Sequence, residues 1–413
     1  MRLFGDGRVA LQDDENMAAR LGWGPRRRSC PEPEAVLVAR EGDPRREPWI
    51  CPPWFDPTAG IDSLRRRRQG ARTWTYLSEP PGVVRELGVM AVPRPAGGWR
   101  VGVIGLGRVG GVAATALASL PVRRSGIREL VLFDVDAANL ERWRLELGSI
   151  GLWRGREALP SVRVASLEAM FAECDAVLFV ATKAVPPLGA QGEVRLVQLA
   201  PNREILQSCL VHALAASFGG LFLVVSDPVD WLAQAAFVDS NTDASGAFTG
   251  GGLPPERIAG LGLGVMWARA LAAARSVGHE ERVRAWGAAF GPHSVDVIAF
   301  DDLRNPDPVL SAQMTESARR CNYQVRSQGF LPYVGPGVSS VGLTLPRLLA
   351  GREVPAAGFL DGIYFGAPTR LAWGAYPTPH RLGREVWPAV EELHGRLRRQ
   401  APDLGLAPGP RAI

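Results

Sequence analysis

Residues 99–111, WRVGVIGLGRVGG, decide how this chain is read. Residues 99–104 are mostly apolar, as a strand buried on both faces requires. Gly105-Leu106-Gly107-Arg108-Val109-Gly110 follows at once and opens an apolar helical run. In that context each glycine has a task. Gly105 permits the tight turn, Gly107 lets the backbone approach a pyrophosphate, and Gly110 lets the helix pack on the strand. The helix start, with Arg108 and Val109, offers unpaired N–H groups and a positive dipole end to phosphate. A second apolar strand, ELVLFDVD at 129–136, places Asp134 24 residues after Gly110. A carboxylate there accepts from both ribose hydroxyls and repels a 2′-phosphate, so NAD is expected over NADP.

Outward from this unit the alternation continues. NLERWRLELGSI reads as a helix, DAVLFVAT as a strand, REILQSCLVHALAAS as a helix and LFLVVSDP as a strand. Short apolar strands alternating with helices predict βαβ units and a parallel sheet. The expected fold is α/β: a Rossmann-type doubly wound sheet over 99–250, then an α+β substrate domain over 251–413. In that second half HSVDVIAF and FLDGIYFGAPTRLAWGAY read as strands, and EVWPAVEELHGRLRRQ (385–400) as a terminal amphipathic helix. Residues 1–98 differ in texture, with many prolines, WICPPWFDP, and the basic runs Arg26–Arg28 and Arg65–Arg68. AVLVA (35–39) and RTWTYL (72–77) read as strands of a small, irregular module, and PRPAGG (93–98) as a linker.

Composition bounds the function. The 413 residues are 46% hydrophobic and 22% charged, which argues for a globular chain of two or three domains. No run of 18 apolar residues occurs, so no membrane partner is expected. The start, MRLFGDGRVALQDDEN, has no long apolar stretch and does not read as a secretory signal. Five cysteines without a CxxC pair suggest reduced thiols in a cytoplasm. The net charge of +5 is small and scattered, with Lys183 the sole lysine, so no nucleic-acid partner is expected.

Several further segments in order resemble the lactate/malate dehydrogenase family: CDAVLFVATKAVPP, RLVQLAPNREIL, FLVVSDPVDWL, IAGLGLGVMWARAL and FGPHSVDV. The resemblance runs from about Arg100 to the C-terminus. It leaves residues 1–98 as an addition. It implies NAD as cofactor, a small-molecule carboxylate substrate, a homodimer or homotetramer, and no metal. His293, in Gly-Pro-His-Ser, stands where the family has its catalytic histidine, and an imidazole suits proton transfer near neutrality. Arg269 matches the arginine that grips the substrate carboxylate, which a planar guanidinium does with two hydrogen bonds. Arg195, seven residues before Asn202, matches the loop arginine that polarises the reacting carbonyl. NYQVRSQGFLPYVGPGVSSV resembles the helix facing the substrate.

The chain departs from the family at four places. Met266 replaces the aspartate that orients the histidine, three residues before Arg269, and the alignment sets it against His293. Asp227 replaces the asparagine beside nicotinamide and substrate oxygen, and is read as the partner of His293 in place of the lost carboxylate. Pro187 and Leu188 stand where malate enzymes carry an arginine, and Leu331 where a hydroxyl residue is common. These suggest an apolar side chain on the substrate and argue against malate. The resulting expectation is an NAD-dependent oxidoreductase for a 2-oxo/2-hydroxy or imino/amino acid. The rivals are a catalytically weakened NAD-binding protein whose N-terminal module recruits a partner, and an NAD- and metal-dependent glycosidase.

Overall fold

The computed structural model describes residues 3–5, 10–12, 95–152, 157–183, 185–188, 195–248, 252–360, 362–371, 375–378, 380 and 382–407. Two short strands, β1 (Leu3–Gly5) and β2 (Ala10–Gln12), pair antiparallel. The strands expected at 35–39 and 72–77 lie outside the described residues.

The remaining strands build mainly one sheet. β3 (Trp99–Ile104), β4 (Ile127–Phe133), β5 (Ser161–Val164), β6 (Ala176–Phe179), β7 (Leu221–Val224) and β8 (Ile258–Gly260) are joined in parallel. A small hairpin of β9 (Ala288–Phe290) and β10 (Ile298–Phe300) stands apart. β11 (Val354–Leu360), β12 (Ile363–Leu371) and β13 (Ala375–Pro377) add antiparallel to the β8 edge. The order is β13-β12-β11-β8-β7-β6-β3-β4-β5. The chain reverses its winding between β3 and β6, the switch point at which open α/β sheets bind ligands.

The helices of two turns or more follow in chain order. They are α1 (Arg108–Ala118), α2 (Ala137–Gly148), α3 (Leu167–Glu173), α4 (Leu199–Ala215), α5 (Val229–Ser240), α6 (Leu263–Ser276), α7 (Glu280–Trp286), α8 (Pro308–Ser327) and α9 (Val386–Gln400). Helices on both faces bury the central strands completely, which is why β6 and β7 are apolar at every position. One core cluster gathers Phe179, Phe222, Leu232 and Phe365, and another gathers Val103, Leu117, Leu132 and Leu178 on the opposite face. A third, around Met266, Ala270, Met314 and Ala318, packs α6 on α8. The sheet is the doubly wound arrangement expected, followed by the mixed second half. It runs unbroken past residue 250, since β11 pairs with β8 through Ala357 and Gly260.

Candidate active site

A cavity of about 350 Å³ opens at the carboxyl ends of β6, β7 and β8. Its floor is the turn from β3 into α1, where Gly107, Arg108, Val109 and Gly110 line it. The three glycines behave as their spacing requires. Gly105 has φ +93°, and a Cβ there would lie 2.6 Å from the Ala181 backbone. A Cβ on Gly110 would lie 2.0 Å from the Gly105 carbonyl oxygen, so strand and helix meet only without a side chain. A Cβ on Gly107 would meet nothing within 4 Å, because that position faces open space. An uncovered backbone at a helix N-terminus fits a pyrophosphate. Arg108 stacks over the Tyr333 ring at 5.7 Å beside it.

Asp134 is half-buried at the end of β4 and braces this turn. One carboxylate oxygen accepts from the Leu106 N–H at 2.7 Å, the other from the Asp136 N–H at 2.9 Å. From α2 the Trp143 indole N–H donates to the Leu106 carbonyl at 2.8 Å. The Leu106 peptide is thus held at both its N–H and its C=O. The Asn139 amide also donates to Asp134 at 3.4 Å, so of the about four acceptor positions of a carboxylate one is left for a ribose hydroxyl.

The opposite wall carries the charged centre. His293 is buried, and its Nδ1 lies 2.7 Å from the Gly262 carbonyl oxygen, which can only accept. The ring proton therefore sits on Nδ1, and Nε2 is the basic nitrogen. Nε2 is 3.8 Å from Asp227, at the end of β7. On its other side the Asp227 carboxylate is 4.0 Å from Nε of Arg195, which is also buried. Burial first, and then the charges of Arg195 and Arg269, hold the His293 pKa well below its usual value, against the favourable Gly262 hydrogen bond. The Asn202 amide fixes the Asp227 backbone by donating to its carbonyl at 2.7 Å. It also accepts from the Lys183 N–H at 2.9 Å, tying the ends of β6 and β7 together.

Of the residues singled out in the sequence, Gly107, Arg108, Val109, Gly110, Arg195, Asp227, Arg269, His293 and Leu331 all line this one cavity. Pro187 and Leu188 do not: both are exposed, and Val185 and Pro186 face the cavity from that segment. Met266 is fully buried, with its sulfur 3.5 Å from Nη1 of Arg269. The orienting contact that Met266 cannot give His293 is made by the Gly262 carbonyl.

Three residues at or behind the cavity wall are not singled out by the motifs, although two of them lie in the segment expected to face the substrate. Asp230, in the first turn of α5, is buried and accepts the His293 backbone N–H at 2.8 Å. Burial pushes its carboxyl up to about 7. Asn322 and Arg326, on α8, are buried and line the cavity. Their i, i+4 spacing in NYQVR was the available signal, since it puts two polar side chains on one helix face.

Comparison with known proteins agrees with the geometry. Residues 99–248 match the family model of the lactate/malate dehydrogenase NAD binding domain. L-lactate dehydrogenase 1 of Staphylococcus aureus strain MRSA252 is 33% identical over 172 residues, 40% of this chain and 45% of that protein. The strain JH9 protein gives the same figures. The chain therefore spans about half the length of the curated relatives it matches. A lactate dehydrogenase from a Medee basin deep-sea metagenome library superposes with TM-score 0.60 at 21% identity, covering 75% of this chain and 99% of its own. The minor L-lactate dehydrogenase of Enterococcus mundtii gives 0.60 at 20%, covering 74% and 98%. These two establish the fold. Residues 99–248 thus match an NAD-binding domain of the lactate/malate dehydrogenase type, on a chain whose fold is that of the lactate dehydrogenases it superposes on.

Proposed function

We propose that the protein is an NAD-dependent oxidoreductase acting on a carboxylate-bearing 2-oxo or 2-hydroxy acid, or its imino or amino counterpart. The observation that carries this reading is the meeting of an open glycine turn, a buried imidazole and a buried arginine in one cavity. Bound NAD supplies the hydride donor or acceptor. Arg269 clamps the substrate carboxylate, and as a partly desolvated guanidinium it does so in a fixed orientation. Arg195 stabilises negative charge on the substrate oxygen. His293 takes or gives the substrate proton at Nε2, while Gly262 keeps the ring in the tautomer that leaves Nε2 basic. Asp227, between Arg195 and His293, favours the protonated imidazole. Malate is not the substrate we assign, because the described part of the 181–188 segment brings no cation to the cavity. Its Lys183 is paired with Glu204 at the surface. We also propose a cytoplasmic homo-oligomer.

The low pKa direction at His293 favours one alternative, a weakened NAD-binding protein. One assay separates the two. NADH absorbance is followed with a panel of 2-oxo and 2-imino acids, for wild type and Arg269→Gln. Turnover with a KM raised about 100-fold or more in the variant supports the enzyme, on the scale of a lost charged hydrogen-bond pair. NADH binding without turnover of any acid supports the alternative.

A further inference from the structure

Asn322 is 6% exposed and lines the cavity, and among the described residues its amide has no hydrogen-bond partner. The amide is left facing the cavity, where a ligand donor or acceptor can meet it. One turn along α8, Arg326 is 9% exposed and lines the same cavity. Its Nη2 donates to the Pro186 and Pro187 carbonyls at 2.8 and 2.6 Å. No carboxylate among the described residues pairs with it. Two carbonyl dipoles offset a buried positive charge only in part, and the other guanidinium nitrogens remain as donors.

The spacing on α8 gives a direction. The Cys321 thiol stands beside the Arg269 guanidinium, which marks the carboxylate end of the cavity. From Cys321 to Arg326 the helix rises five residues, about 7.5 Å. That is longer than the short carbon bridge between the two carboxylates of malate. We propose that Arg326, with Asn322 one turn nearer the carboxylate end, forms a subsite that selects a substrate whose side chain, longer than that of malate, ends in a hydrogen-bond acceptor: a carboxylate or a carboxamide. This rests on the 2-oxo or 2-hydroxy acid reading above. It replaces the apolar side chain expected from Pro187 and Leu188, whose side chains stand outside the cavity, and leaves Leu331 as apolar wall.

The test uses dead-end complexes, in which no hydride can move, so it reads binding whether or not the protein turns over. The full chain loaded with NADH is titrated calorimetrically with 2-hydroxypentanoate, 2-hydroxyglutarate and the terminal amide of 2-hydroxyglutarate. At least one polar-ended acid should bind tenfold or more tightly than the methyl-ended one, because a site built for hydrogen bonds rejects an analogue lacking them. The ratio should collapse in Asn322→Leu for the amide, or in Arg326→Leu for the carboxylate. Arg326→Lys should restore part of the carboxylate preference. Equal or tighter binding of 2-hydroxypentanoate by wild type overturns the subsite, as does a polar preference that survives both variants. Turnover of the same acids with NAD, measured separately, decides the oxidoreductase reading alone.

Discussion

The His293 backbone N–H donates to the Asp230 carboxylate, and burial moves the two pKa values in opposite directions. The His293 imidazole is pressed toward neutrality by burial and by Arg195, while Asp227 at 3.8 Å favours its cation. Asp227→Asn removes that support. The imidazole should then titrate lower still, and turnover should fall by about 10- to 100-fold, the range of a weakened general acid–base group. An NMR titration of the ring in both proteins checks this, and an unchanged titration separates Asp227 from His293. A depressed histidine contributes stability above its unfolded value of 6.5 that is lost as pH falls through the folded pKa. Asp230 acts at the other end. Its raised pKa means the folded state keeps the proton longer than the unfolded chain does. Its favourable contribution is complete below 3.8 and is lost as pH rises through about 7. Asp230→Asn keeps an acceptor for the His293 N–H and has no charge to bury. Relative to wild type it should gain stability between about pH 5 and pH 8, by up to a few kcal/mol. Denaturant melts at the two pH values read this, and an equal difference at both would contradict it. At this scale the sequence showed which residues converge, because motif context names Arg195, Asp227, Arg269 and His293. It did not show what replaces a lost partner. The Gly262 carbonyl is a backbone group, and no side-chain pattern announces it.

The turn from β3 to α1 shows how far an element can be read from its letters. Glycine spacing after an apolar run specifies the close approach of helix and strand, and a Cβ at Gly110 would overlap the Gly105 carbonyl. What the letters do not carry is how the turn is braced. Asp134 was legible as a ribose acceptor, but its carboxylate also holds the Leu106 N–H, with Trp143 on the Leu106 carbonyl. Contacts between residues 28 and 37 positions apart depend on how α2 returns to the sheet, which the periodicity leaves open. The brace sharpens the cofactor prediction. NADH should bind more tightly than NADPH, because the 2′-phosphate would approach a carboxylate. Asp134→Ser should narrow that gap mainly by weakening NADH, since the variant loses both the ribose acceptor and a turn support. Titration of both cofactors by calorimetry tests it. NADPH binding as tight as NADH in wild type would remove the assignment, and an unchanged ratio in the variant would move selectivity elsewhere. The same limit explains Pro187 and Leu188. Their residue type was readable, but the side to which a proline-rich segment turns depends on long-range contacts such as those Arg326 makes with its carbonyls.

Across the whole molecule, one sheet runs continuously past the boundary expected near residue 250. β11 to β13 extend the edge begun by β8, so the second half completes a sheet the first half starts. Gln234, on α5, reinforces the join. Its amide donates to the carbonyls of Gly362 and Leu406, each at 3.0 Å, and accepts from the Tyr364 N–H at 3.2 Å. The cavity itself takes its floor from α1 and its far wall from α6 and α8. Breaking either half away would expose the fully buried strands β7 and β8 and leave the Gln234 amide without its partners. Independent unfolding of the two halves is therefore costly, and residues 95–407 should melt in a single transition by calorimetry. NADH bound at about 100 times its dissociation constant should stabilise that whole transition by about 2.7 kcal/mol, as linkage requires for a ligand of the folded state alone. Two transitions, of which NADH moved only one, would show that the halves are separate folding units and that the shared sheet edge is too weak to couple them.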